Sequence, residues 1–202
     1  MKHATSRNLY AYWNRRRDGR AAPDRHDIEP YDLGAELVDT FLIRIDDDGT
    51  ARYRFCGSSI AMHYGRDLGD EDFLKNWNHE DRATLKSHIE MMTANAAGFV
   101  AGMVAETASG GFTTFELILL PLMNEGRCDR AIGCLGRVGG HAVTNRIKAR
   151  IVSQSLRSVR LLNTHEAPGI SAAARKLPPP PLPDQTSVRG KFGHLVLVQG
   201  GK

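Results

Sequence analysis

Hydrophobic positions recur with a helical period at the start of the chain and with a period of two in its middle. Over residues 6–17, Leu9, Tyr12 and Trp13 fall on one stripe, and Arg15, Arg16 and Arg17 occupy the last turn, where cations favour the helix dipole. Asp18-Gly19 ends that helix, and a polar connector carrying Pro23 and Pro30 leads to Leu33, Leu37 and Val38. From residue 39 the period changes. Phe41, Ile43 and Ile45 alternate with Leu42 and Arg44. Beyond the Asp46-Asp47-Asp48-Gly49 turn, Tyr53 and Phe55 alternate with Arg52 and Arg54, which predicts a hairpin with one buried face.

A helical block follows. Ser58 caps a short helix through Tyr64 that stops at Gly65, a second helical piece is expected over 71–77, and Asn78 caps a longer helix to residue 97. Leu85, Ile89, Met92 and Ala96 form the apolar stripe of that helix. Three strands are then expected over 99–107, 112–120 and 130–138, separated by Ser109-Gly110-Gly111 and Asn124-Glu125-Gly126. Two strands, helices and three more strands imply an α+β fold: a five-stranded antiparallel sheet with helices on one face, plus an N-terminal helix. Between sheet and helices lies either a small apolar cavity or a filled core of that shape.

The expected organisation is an N-terminal helix and connector (1–38), the sheet-bearing domain (39–138) and a basic C-terminal extension (139–202). In the extension the spacing of Ile147, Ile151, Leu156, Val159 and Leu162 allows an amphipathic helix over 147–162, and 156–162 fits an edge strand equally well. Five prolines between 177 and 183 predict an extended linker, and Leu195-Val196-Leu197-Val198 could add a strand or dock on a partner.

Charge sharpens this division. Residues 1–138 hold 17 Lys/Arg against 21 Asp/Glu, whereas residues 139–202 hold 10 against 2. The basic extension points to an anionic partner, with a merely solvated segment as the equal alternative. No run nears the roughly 18 apolar residues of a membrane helix, and the N-terminus lacks a secretory pattern, so a cytoplasmic location is expected. Three cysteines with no C-x-x-C spacing argue against disulfides and structural zinc.

The order of elements resembles a PAS domain, and more narrowly a family of short bacterial stand-alone PAS proteins. The residues carrying the likeness are Leu9-Tyr10-Ala11-Tyr12-Trp13; Pro23, Arg25, Asp27, Ile28 and Pro30; Tyr53-Arg54 through Gly57; Gly65-Arg66-Asp67-Leu68-Gly69; Phe73-Leu74 and Trp77; and the closing Gly193-His194-Leu195 and Gly200-Gly201. The resemblance implies a sensory or interaction module of signal transduction without catalysis of its own. No kinase, cyclase or DNA-binding segment follows, so output is expected through a protein partner or a homodimer. Many PAS domains bind haem, flavin or a metabolite between sheet and helices; the ligand here stays unassigned.

On that frame Phe55, Ile60, Tyr64, Phe73, Trp77, Leu85, His88, Ile89, Phe115, Leu117 and Leu119 are expected to line the cavity or core. His88 lies on the helix that supplies a haem ligand in haem-binding relatives, but a boundary histidine with a backbone partner is the simpler reading. His63 and His79 suit turn and cap roles, and Cys56 a small buried hydrophobe; the cysteine motif of flavin photosensors is absent. Hydrolase, metalloprotease and phosphate-loop motifs are missing, Asp46 to Asp48 lack the later glutamate of an EF-hand, and neither an enzyme nor a metal site is expected. Leu9, Tyr12 and Trp13 are expected to anchor a dimer or partner interface, or else to cover their own sheet. Arg146, Lys148, Arg150, Arg157 and Arg160 are candidate anion-binding residues. They carry the alternative reading, a nucleic-acid or nucleotide-binding regulator, although the extension lacks a helix-turn-helix and has Phe192 as its one stacking aromatic. A protein partner ranks first, an anionic second messenger or membrane surface next.

Overall fold

The computed structural model describes residues 1–139 and 150–162 and the backbone of 175–176. Helix α1 (Ala4–Arg17) is followed by a connector containing a 3-10 turn at Arg25–Asp27, the single turn α2 (Pro30–Leu33) and a second 3-10 stretch at Gly34–Asp39. Then come β1 (Thr40–Ile45), β2 (Ala51–Cys56), α3 (Ser58–Tyr64), α4 (His79–Asn95), β3 (Phe99–Thr107), β4 (Phe112–Asn124) and β5 (Arg127–Gly139). Strand β6 (Ile151–Leu161) and the two-residue β7 (Arg175–Lys176) complete the sheet.

All strand pairs are antiparallel, in the order β2-β1-β5-β4-β3-β6-β7. Among the described residues the sheet therefore has six substantial strands and a short seventh pairing, where five are expected from the sequence. The added strand is β6, whose sequence pattern allows either an amphipathic helix over 147–162 or an edge strand at 156–162. Two bulges, opposite Gly102/Met103 and Glu106/Thr107, break its period of two. As a result Ile151, Gln154, Leu156 and Val159 are buried at intervals of three, two and three residues, a spacing that imitates a helix. The sheet thus continues past residue 138.

The helical piece expected over 71–77 is a set of turns instead. Its backbone is used for pairing: Tyr53 N–H donates to the Glu71 carbonyl at 3.0 Å, Phe73 N–H donates to the Ala51 carbonyl at 2.7 Å, and Trp77 bridges to Gln154. The loop thereby covers the outer edge of β2, which would otherwise offer unpaired amides to another strand. At α4 the Asn78 side chain accepts from Asp81 N–H at 2.9 Å, as the sequence predicts. The β4–β5 turn carries Glu125 and Gly126 at φ 51° and 80°, a pair of left-handed residues that suits a two-residue hairpin. Pro121 is tolerated in β4 because β3 pairs only as far as Leu119, so no strand on that side needs its missing N–H.

The sheet is buried on both faces. On the inner face α3, α4 and the 66–77 loop close over a core that includes Phe41, Tyr53, Phe73, Trp77, Leu85, Ile89, Phe99 and Leu117. On the outer face α1 and the connector cover Val100, Ile118, Leu120, Leu122, Ile132 and Cys134. No helix among the described residues is long and apolar enough to cross a membrane.

Candidate functional site

Between sheet and helices, Phe41, Tyr53, Ile60, Tyr64, Phe73, Trp77, Met103, Leu117 and Leu135 surround a void of only about 10 Å³. That is room for one water at most. The space is filled by rings: Phe41, Tyr53 and Phe73 pack with centroids 5.6 to 5.7 Å apart. At its margin Tyr64 Oη donates to Gln154 Oε1 at 2.6 Å in a buried bond.

Of the expected lining residues, Ile60, Tyr64, Phe73, Trp77 and Leu117 surround this void. Leu85, Ile89, Phe115 and Leu119 belong to the same core but do not reach it. His88 is half-buried, its Nδ1 lies 2.8 Å from the Thr84 carbonyl, and its ring meets the edge of Phe99 at 5.7 Å. It is the boundary histidine with a backbone partner. His88 is not among the residues that line the void. Burial lowers the pKa of His63, whose ring meets Phe115 edge-on at 4.9 Å.

Phe55 is misplaced by its period. Between Leu42 and Ile43 the β1–β2 register slips by one residue on β2, so Leu42 faces Phe55 and Ile43 faces Tyr53. The extra residue, Arg54, turns Phe55 to the outer face, where it is 37% exposed.

The N-terminal stripe does not form an exposed interface either. Leu9, Tyr12 and Trp13 are 1%, 5% and 0% exposed, all on their own sheet. Trp13 Nε1 donates to the Pro121 carbonyl at 2.7 Å, and the Tyr12 hydroxyl accepts from Glu29 N–H at 3.0 Å. The start of α1 is tied down by Glu116 on β4, whose carboxylate accepts from Lys2 N–H at 2.6 Å and His3 N–H at 2.9 Å. Burial pushes this carboxyl up, but those two amides and the Ser6 hydroxyl outweigh it and hold the group below its ordinary range. A side chain at Gly136 would meet the His3 ring, so the N-terminus also lies flat on β5.

Three of the five expected anion-binding residues are described, and these three do not converge. Arg146 and Lys148 lie outside the described residues. Arg150 lies over Gly65, Arg157 is the bulged residue of β6, and Arg160 points to the outer face opposite Val100. The expected linker over 177–183 and the apolar segment over 194–199 also lie outside the described residues.

A feature that sequence reasoning did not find occupies the outer face beside α1. There the connector and strands β2, β1 and β5 enclose an open groove of about 700 Å³. Its apolar lining includes Ile28, Leu33, Leu42, Phe55, Leu122 and Ile132, and its charged lining is Arg25, Arg44, Arg54 and Arg130 with one carboxylate, Glu29. Register explains the arrangement. Arg52, Arg44 and Arg130 are directly opposite one another across three strands, one row from Phe55, Leu42 and Ile132. The alternation of arginine and apolar residues along β1 is visible in the sequence. That β5 pairs beside β1, bringing Arg130 next to Arg44, is not.

Burial raises the thiols of Cys56 and Cys128 to about 11 and that of Cys134 to about 12, which keeps them protonated at neutral pH. Among the described residues no group of three or more His, Cys, Asp or Glu could hold a metal ion.

The family model for a PAS domain, PAS_5, matches residues 1–136. No curated protein matches the chain. Among solved structures it is similar to the PAS domain of an HTR-like protein from Haloarcula marismortui, with 17% identity and a TM-score of 0.38 over 50% of this chain and 86% of that one. It is also similar to an RNA-binding light-oxygen-voltage receptor, with 15% identity and a TM-score of 0.38 over 52% of this chain. The match spans only 31% of that receptor.

Proposed function

Because this chain belongs to the PAS domain family, we propose that it is a non-catalytic bacterial signalling module that acts in the cytoplasm by binding another protein and carries no cofactor between sheet and helices. PAS homologues support the sensory or signalling role. The observation that supports the finer reading is the filled interior: among the described residues, the void between sheet and helices measures only about 10 Å³. Exchange with other molecules is left to the outer surface. The high thiol pKa values of Cys56, Cys128 and Cys134 support a role without thiol chemistry of its own.

Native mass spectrometry with an absorbance spectrum, on protein purified from its own host, tests this. The expected result is no visible chromophore and a complex whose mass exceeds the chain by a second protein, a different partner or another copy. A stoichiometric haem or flavin, or turnover of a bound metabolite, overturns the proposal.

A further inference from the structure

Two of the groove's arginines, Arg44 and Arg130, stand in one row of the sheet with Arg52, and the row needs an explanation. Like charges directly opposite on paired strands destabilise the pairing. Arg44 faces Arg52 on one side and Arg130 on the other. Intramolecular carboxylates answer only part of this charge. Asp46 meets Arg44 Nε at 2.6 Å and Arg52 Nε at 3.3 Å. Asp129 Oδ2 lies 3.1 Å from Arg130 Nη1, and Asp70 takes Arg54 Nη1 at 2.5 Å. The Arg25 guanidinium is exposed and has no partner among the described residues, and Arg44 offers its two Nη groups with none. The groove wall thus presents the guanidiniums of Arg25, Arg44, Arg54 and Arg130 beside Glu29, three of them paired through one nitrogen with Asp46, Asp70 or Asp129, above a floor of leucine, isoleucine and phenylalanine.

We propose that this groove binds a small amphipathic anion: one carboxylate or phosphate head held by Arg44 and Arg130, with a hydrocarbon body over Leu42, Phe55 and Ile132. A volume of about 700 Å³ lies within the range of small-molecule sites, roughly 300 to 1,000 Å³. Guanidinium forks are the side chains best matched to such heads. The same charge disfavours the chain's own C-terminal extension as occupant, because residues 139–202 hold 10 basic residues against 2 acidic ones. The site is separate from the filled inner space but shares the outer surface with the protein-partner reading, and small anion probes test it without a protein partner present.

Isothermal titration calorimetry of the full chain tests the proposal with three probes sharing one tail: decanoate, decyl phosphate and decyltrimethylammonium. One decanoate or decyl phosphate per chain is expected to bind, and the cation at least tenfold more weakly; the preferred head distinguishes a carboxylate from a phosphate source. Arg44→Gln with Arg130→Gln is expected to weaken both anions about tenfold or more. Phe55→Ser is expected to weaken them without restoring the cation. Urea midpoints of the variants separate lost binding from lost folding. Equal affinity for anion and cation, or unchanged anion affinity in the folded arginine variant, overturns the proposal. So does a Glu/Leu-rich peptide that binds where decanoate does not, since the groove would then be a peptide dock.

Discussion

Trp13→Ala asks whether α1 is an integral layer of this PAS domain or a removable flank. The indole has no solvent exposure, stacks on Tyr10 with ring centroids 6.1 Å apart, and donates a buried 2.7 Å hydrogen bond to the Pro121 carbonyl. An aromatic of this size buries roughly 150 to 250 Å², and truncation to alanine removes most of it; at about 25 cal/mol per Å² the loss is ~4 kcal/mol. That agrees with the ~3 to 5 kcal/mol that such truncations cost, and the hydrogen bond adds ~1 kcal/mol. Whole domains have only about 5 to 15 kcal/mol of stability, so the variant should sit near its threshold. Urea unfolding followed by far-ultraviolet circular dichroism and by Trp77 fluorescence reads this directly, because the chain has two tryptophans and Trp77 reports the opposite face of the sheet. Both probes should shift together to a lower midpoint, since the strands beneath Trp13 also floor the inner core. A loss under about 1 kcal/mol, or a Trp77 transition that does not move, refutes the idea that the two faces are stabilised as one unit.

Three further outcomes are expected. Glu116 has a depressed pKa in the folded state, so its contribution is complete above its ordinary value of about 4.5 and is lost as pH falls through the lower folded value; Glu116→Gln should cost about 1.5 to 3 kcal/mol at neutral pH and flatten that acid limb in urea titrations across pH. Tyr64→Phe strands the buried Gln154 Oε1 and should cost ~1 to 3 kcal/mol by urea unfolding, part of which Gln154→Leu restores in the double variant. Native thiols should react with a disulfide reagent at least about tenfold more slowly than unfolded ones at pH 8, with the rate climbing toward pH 11, because burial raises Cys56 and Cys128 to about 11 and Cys134 to about 12; rapid labelling of the folded chain at neutral pH contradicts that burial.

The position of the groove relative to α1 links these tests to signalling. Tyr12 is held between the helix and Glu29 of the connector, and Glu29 also lines the groove. An occupant there touches the same segment that holds α1 down, so α1 docking is the property to measure alongside ligand affinity.

Local patterning along the chain determined a good deal. Alternation at Phe41, Ile43 and Ile45, the Asn78 cap and the stripe of Leu85, Ile89 and Met92 are local signals, and each element they predict is present because its apolar face has one place to go. The α+β class and the resemblance to a PAS domain follow from the order of those elements. Tertiary structure decided what depends on register and on packing between distant segments. The bulge that turns Phe55 outward, the two bulges that disguise β6 as a helix, and the row of Arg52, Arg44 and Arg130 arise from strand pairing, which no single segment encodes. The same limit explains why Leu9, Tyr12 and Trp13 read equally well as an interface or as a cover. An amphipathic stripe states only that it must be buried; the shape of the sheet supplies the surface that buries it.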